Sequence, residues 1–285
     1  MKPPAVRIVA AGLLLAALAA GAWWCQRGPA AEGAAAEKPV APSPAAEMIV
    51  AGLGGFRGLV SEVIWFRADR LQDEGRYAEL AQLSAWLTFL EPHTPEVWAY
   101  AAWNLAYNIS VTMPTPADRW RWVEAGIRLL RDDGLRLNPR DPVLHRELSW
   151  MFLQKLGGAL DEAGAYYRAE WRRQVAALRA EGRLGEIGLE PARMAAVDAA
   201  YGAQDWTDPL AMALYWAARG LACATTAEAR QDLRALVYQA LMFEARHDAR
   251  FAPRALEELR TAYAEKPSPL LGQIIEKFRA TFGLE

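Results

Sequence analysis

A four-residue punctuation occurs twice in this chain and narrows its possible folds more than anything else in it. Pro92-His93-Thr94-Pro95 and Pro139-Arg140-Asp141-Pro142 stand 47 residues apart, and at that offset Val97 meets Leu144, Trp103 meets Trp150 and Leu105 meets Phe152. A period of about 20–50 residues in a helical chain marks stacked helix pairs, because one pair alone cannot bury its apolar face. The text between the breaks has helical rhythm: Leu80, Leu83, Leu87 and Leu90 recur at intervals of three and four, forming one apolar stripe. No alternating run of β-branched residues exceeds four, and no Asn-Gly or Asp-Gly turn joins two such runs. Glycine and proline breaks predict helices at about 57–74, 77–90, 95–110, 118–136, 142–156, 159–181, 191–201, 209–223, 226–246, 253–265 and 269–281. Thr94-Pro95, Asp141-Pro142 and Asp208-Pro209 each set a capping oxygen before a proline at the first helical position, and Thr225 with Glu228 reads as a capping box. The fold class is all-α.

The clearest unit is the 34-residue stretch Ser61 to Thr94, SEVIWFRADRLQDEGRYAELAQLSAWLTFLEPHT. Ala68 provides a small residue where two helices approach, Gly75-Arg76-Tyr77 makes the turn, and Leu90-Glu91-Pro92 ends the second helix. On these residues the stretch resembles a tetratricopeptide repeat, with Leu80 departing from the smaller residue the family prefers. A second unit, Pro95 to Asp141, keeps Trp98, Ala102 and Leu137-Asn138-Pro139, with its inter-helix turn expanded over Val111–Ala117. A third, from Pro142, keeps Ser149 and Asp161-Glu162-Ala163 but has no closing proline. Beyond Glu181 the resemblance fades into generic hairpins, with Pro209–Ala224 and Thr226–Arg246 as one pair. The resemblance covers about 115 of 285 residues. It implies an antiparallel helix-hairpin solenoid over 48–285 that binds peptide or protein, with no cofactor and no chemistry of its own.

Upstream, Ile8 to Trp24 carries no charge for 17 residues, the lower limit for crossing a bilayer core of ~30 Å. Lys2 and Arg7 precede the run, and Trp23 and Trp24 stand where interfacial aromatics belong. Residues 1–25 therefore read as a single-pass signal anchor in the cytoplasmic membrane with the body outside, in the periplasm of a bacterium. Cleavage after Ala22 is the alternative, yielding a secreted chain; lipidation at Cys25 would require a small residue where Trp24 stands. Residues 26–47, with eight Ala and four Pro among 22, read as a tether.

Residues 1–47 carry four basic and three acidic side chains, leaving the rest of the −2 chain near −3. A mildly acidic body lacks the basic stripe that nucleic acid requires. Two cysteines and three scattered histidines supply neither a metal cage nor a triad, so no catalytic residue and no metal is expected. Cys223 reads as a buried thiol. The glycine run GLGGFRG before and after Arg57 lacks the Lys-Ser/Thr of a phosphate loop and a preceding strand. Of the carboxylates, Asp69 and Asp73 alone have credible spacing for acid–base work, and beside Arg70 and Arg76 they read as a solvated face.

In a solenoid of this kind the first helix of each pair lines the inner face. That face would present Trp65, Asp69, Gln72 and Asp73, then Trp103 and Tyr107, then Arg146, Trp150 and Gln154. Aromatic, amide and charged groups together suit an extended peptide or a partner helix. The ten tryptophans of the body either fill gaps between pairs or form stacking surfaces, and Asn104 and Asn108 either clamp neighbouring backbone or reach a ligand. The expected function is a membrane-tethered adaptor that binds a protein or peptide partner. The alternatives are a small helical glycan-acting enzyme and a purely architectural envelope subunit.

Overall fold

The structure, a computed structural model, describes residues 57–158 and 161–285. The anchor expected over 1–25, the tether over 26–47 and the glycine run before Arg57 lie outside the described residues. No helix among the described residues is long and apolar enough to cross a membrane. They form eleven helices and no strand.

α1 (Arg57–Asp73) and α2 (Tyr77–Leu90) turn on Gly75, whose φ of +69° is a left-handed conformation that a side chain disfavours. α3 begins as Pro95–Trp103, continues as a π-helical segment Asn104–Ile109 and ends in a 3-10 turn, Ser110–Thr112. α4 joins Pro116–Arg128, a π segment Leu129–Gly134 and Leu135–Leu137; α5 joins Pro142–Trp150 and the π segment Met151–Leu156. Then come α6 (Gly164–Ala180), a 3-10 turn (Leu184–Ile187), α7 (Pro191–Tyr201), α8 (Pro209–Cys223), α9 (Ala227–His247), α10 (Ala252–Glu265) and α11 (Pro269–Phe282). The 47-residue repeat is kept in the backbone: Pro95 and Pro142 open their helices, and both π segments begin nine residues later.

Proline starts account for most of these boundaries. Asp141 accepts from Val143 N–H at 2.8 Å and Asp208 from Leu210 N–H at 2.9 Å. Two expectations change. Thr94 precedes Pro95 without a side-chain cap bond, and α9 is capped by Thr226, which accepts from Ala229 N–H at 3.1 Å, rather than by Thr225. The turn expected over Val111–Ala117 also shrinks to Met113–Thr115, because the closing 3-10 turn of α3 takes in Val111 and Thr112 and Thr115-Pro116 opens α4.

Antiparallel pairs pack side by side. In α3/α4, Trp98 meets Gly134 and Ala102 meets Gly126, so close that a Cβ on Gly126 would lie 2.8 Å from the Ala102 carbonyl oxygen. The third pair is not α5 with α6. α5 packs along α8, with His145 opposite Gly220, Ser149 donating to the Ala213 carbonyl at 2.8 Å, and Gly157 against Leu210. Gly134 and Gly220 are 86 residues apart, as are the last residues of α4 and α8. The helices they face are only 47 apart, so 39 extra residues, essentially α6 and α7, are inserted inside the third pair. α9 packs on α8 and α5, α10 on α9, and α11 on α10.

One apolar core runs through the array from Trp98 to Phe278, with a satellite of Ala68, Leu71 and Leu80 under α1. Trp98, Trp120, Trp171, Trp206 and Trp216 are buried in that core, which answers the question about tryptophan for half of the body's ten. Cys223 is only half-buried: it is the last residue of α8, beside the exposed Ala222.

Candidate functional site

The first helices of the successive pairs, α1, α3 and α5, lie in a row with α9, and the residues expected to line an inner face largely meet along it. Trp65 on α1 sets its edge against Tyr100 on α3, ring centroids 4.9 Å apart, and the Tyr100 hydroxyl donates to Gln72 Oε1 at 3.2 Å. Burial, then the negative charge of Asp69, pushes the Tyr100 phenol up to about 12. Asp69, Gln72 and Asp73 are exposed at the rim. Asp69 and Asp73 stay together on one solvated helix.

The centre of the row is built by α3 and α5. Trp103 and Tyr107, one helical turn apart, stack at 4.2 Å with planes 20° from parallel. Trp103 Nε1 donates to Glu147 Oε2 at 2.7 Å, and Arg146 grips the other Glu147 oxygen through Nε at 3.1 Å and Nη2 at 2.8 Å. Arg146 also reaches Asp232 on α9 at 3.1 Å. Burial alone would lower the Arg146 guanidinium, but Glu147 and Asp232 outweigh it and hold it above its ordinary value. Trp103 remains 38% exposed. Tyr107 is half-buried, with Lys155 Nζ 4.8 Å from its ring centre. Burial, and next the charge of Glu147, drives its phenol far above the usual tyrosine range.

Beyond this cluster Trp150 is half-buried against the core, and Gln154 donates to Gln239 of α9 at 3.4 Å. Asn104 turns away from the face: it is 1% exposed, donates to the Tyr77 carbonyl at 3.5 Å and accepts from Asn108 at 3.3 Å. The asparagine pair thus clamps backbone of α2.

Sequence reasoning did not single out Tyr100, Glu147, Asp232, Gln239 or Lys155. The 47-residue offset held a signal for three of them, since Tyr100 aligns with Glu147, and Lys155 with Asn108. Asp232 and Gln239 carried none, because α9 lies outside the recognisable repeats. Among the described residues no three His, Cys, Asp or Glu converge in a way that would hold a metal ion.

No family model, no curated protein and no solved structure matches this chain. The functional reading therefore rests on this geometry.

Proposed function

We propose that the chain is a tethered interaction adaptor. A tetratricopeptide-like stack is held outside the cytoplasmic membrane by residues 1–25, spaced from it by 26–47, and binds an extended segment or a helix of a partner protein along α1, α3, α5 and α9. In this reading it uses no cofactor, metal or nucleic acid and performs no reaction.

The supporting observation is that Trp103 is fixed yet open. Its ring is stacked on Tyr107 and its N–H is held by Glu147, while 38% of the residue stays in water. A rigid aromatic side chain loses little freedom on binding, and such residues dominate the energetics of interface centres. The flanking Arg146, Glu147 and Asp232 supply the polar surround, and α10 packs against α9 and α11 against α10 rather than over Trp103.

A photo-reactive residue at position 103 of the full chain, compared in cells with one at Arg121 on α4, tests the reading. Cross-linking of one partner from position 103 alone supports it, and loss of that product when a folded chain with the photo-reactive residue at 103 also carries Tyr107→Ala supports it further. Equal products from both positions, or none from either, reject it.

A second reading, an architectural subunit that stacks edge-on, draws on the ends of the array. Leu59, Val63 and Phe66 follow each other along α1 at 58%, 56% and 77% exposure, and Leu270 on α11 is 68% exposed. Apolar rows of this kind mark contact surfaces. Under this reading Phe66→Asp abolishes assembly; under the first it leaves cross-linking from position 103 unchanged.

A further inference from the structure

α1 is apolar on two opposite sides. Ala68 and Leu71 are buried under α2 with Leu80, whereas Leu59, Val63 and Phe66 point away from the body and are covered by nothing among the described residues. The outward residues are spaced by four and then three, which is the register of a heptad seam with Val63 at a and Leu59 and Phe66 at d. A β-branched residue at a with leucine at d favours two parallel helices.

The charges beside the seam favour the same arrangement. Glu62 stands at g and Arg67 at e; both are exposed, and neither forms an ion pair among the described residues. In a parallel pair a residue at g meets the residue at e five positions on in the other helix, so Glu62 of each copy meets Arg67 of the other. An antiparallel pair would bring g against g, setting Glu62 beside acidic neighbours. The other charges of α1 and its turn do not oppose the parallel pair. Arg70, next along the seam, carries its own counter-charge in Glu74 at 2.8 Å, and Arg76 is held by Glu74 and Glu79. Asp69 lies on the α3 side near Tyr100, and Asp73 follows it one turn on.

The far end of the array offers this row no apolar counterpart. On the outer face of α11 Leu270 is followed by Gln273, Lys277 and Thr281, all exposed, as expected of a finished terminal helix. A head-to-tail stack would set Val63 and Phe66 against those polar groups, so a second copy is matched by α1 alone.

We infer that the outward row of α1 is the contact with a second copy of this chain, the two α1 helices lying parallel with Leu59, Val63 and Phe66 between them and Glu62 paired to Arg67 on either side. Three apolar side chains from each copy bury less than the ~800 Å² per partner of a free-standing complex. The pairing is therefore weak between dilute chains and is strengthened by tethering in one membrane, which raises the effective concentration. In that respect it rests on the anchor proposed for residues 1–25, and parallel helices set both N-termini on one side as two such anchors require. The contact names the occupant of the row on which the architectural reading draws, and it does not use the Trp103 face.

The test reconstitutes the purified full chain, with a photo-reactive leucine analogue at position 59, in phosphatidylcholine vesicles. Illumination should give a covalent product of twice the chain mass. Phe66→Asp, Glu62→Arg and Arg67→Glu should each reduce it at least about fivefold, the charge changes by replacing two attractive contacts with two like-charge ones. Mixing the Glu62→Arg and Arg67→Glu chains should restore it, because each substituted helix then meets its opposite charge; a merely damaged fold would not recover. Vesicle flotation reads the anchor separately: chains that float without pairing overturn this inference and leave the anchor standing. If the chains do not float, the anchor reading fails and the same products are sought from the free chain at high concentration. The inference is overturned if no product of twice the chain mass forms, if adducts to lipid replace it, or if the mixed chains pair no better than either alone.

Discussion

Lys155 Nζ and Asp161 lie 2.6 Å apart with side chains 4% and 8% exposed, an ion pair buried where α5 gives way to the insert. Around it Arg119 approaches Asp161 at 4.0 Å and the Tyr167 hydroxyl reaches its carboxylate at 3.4 Å. Burial alone would raise the Asp161 carboxyl. The hydrogen bond from Lys155, the Ala163 N–H and the nearby cations outweigh burial and hold it below its ordinary value.

Removing one partner of such a pair strands the other as an uncompensated charge. Lys155→Met is expected to cost roughly 3–5 kcal/mol, and Lys155→Met/Asp161→Leu to recover most of that loss. Urea unfolding of the three proteins decides it; a single substitution costing under about 1 kcal/mol would mean that the pair is solvated.

Gly126 is required by a backbone neighbour. With the Ala102 carbonyl oxygen 2.8 Å from a built Cβ, Gly126→Ala must push α3 and α4 apart, at about 1–3 kcal/mol. Gly185, where nothing lies within 4 Å of a built Cβ, should accept alanine with a change within about 1 kcal/mol. Thermal melts that fail to rank the two substitutions in this order would contradict the packing described for α3 and α4.

Two buried groups give opposite pH dependences. His145, its Nδ1–H donating to the Asp141 carbonyl at 2.7 Å, is pushed down to about 4, first by burial and then by the charges of Arg219 and Arg193. Between its ordinary 6.5 and about 4 the unfolded chain holds the proton more tightly, so this contribution to stability is lost as pH falls through that window. Glu244 is pushed up to about 8, first by burial and then by Asp208, with Arg250 opposing and Asp248 and Asp205 adding. The folded chain holds that proton, so its contribution is full below 4.5 and is lost as pH rises through about 8. Glu244→Gln should therefore gain stability over the natural chain between pH 5 and pH 9, by up to a few kcal/mol at ~1.4 kcal/mol per pKa unit. Parallel urea midpoints at the two pH values would show that Glu244 is ionised throughout.

Pairing of α5 with α8 predicts which amides exchange together. Both helices are buried along most of their length, from Leu144 to Leu156 and from Pro209 to Ala217, whereas α7 buries only Val197. Hydrogen exchange followed by mass spectrometry should show α5 and α8 opening as one slow unit and α7 exchanging first. Protection of α5 that tracks α6 instead would restore the simpler repeat and exclude the insert.

Much of this architecture was readable because proline and its capping neighbour act locally. Asp141-Pro142 and Asp208-Pro209 fix helix starts whatever packs on them, and the offset between Trp103 and Trp150 survives as two matching π segments. Thr115-Pro116 carries the same local signal as Thr94-Pro95, but it falls inside Val111–Ala117, the stretch that comparison with the first repeat assigns to an expanded turn. The π-helical turns of Asn104–Ile109 and the 3-10 turn Ser110–Thr112 carry α3 into that stretch, and nothing in side-chain spacing announces them. The partner of α5 was hidden for a different reason. An insert and a second helix of a repeat have the same periodicity, and only packing shows that Gly220, not the start of α6, faces His145. On the candidate face, Trp103, Tyr107, Arg146 and Trp150 followed from the repeat, whereas Asp232 came from a helix that no repeat pattern reaches.

The insert leaves the stack beside Gly157 and returns at Leu210, two positions that touch. A cartridge whose ends meet can be exchanged for another of different length without disturbing the register that Gly134 and Gly220 impose on their neighbours.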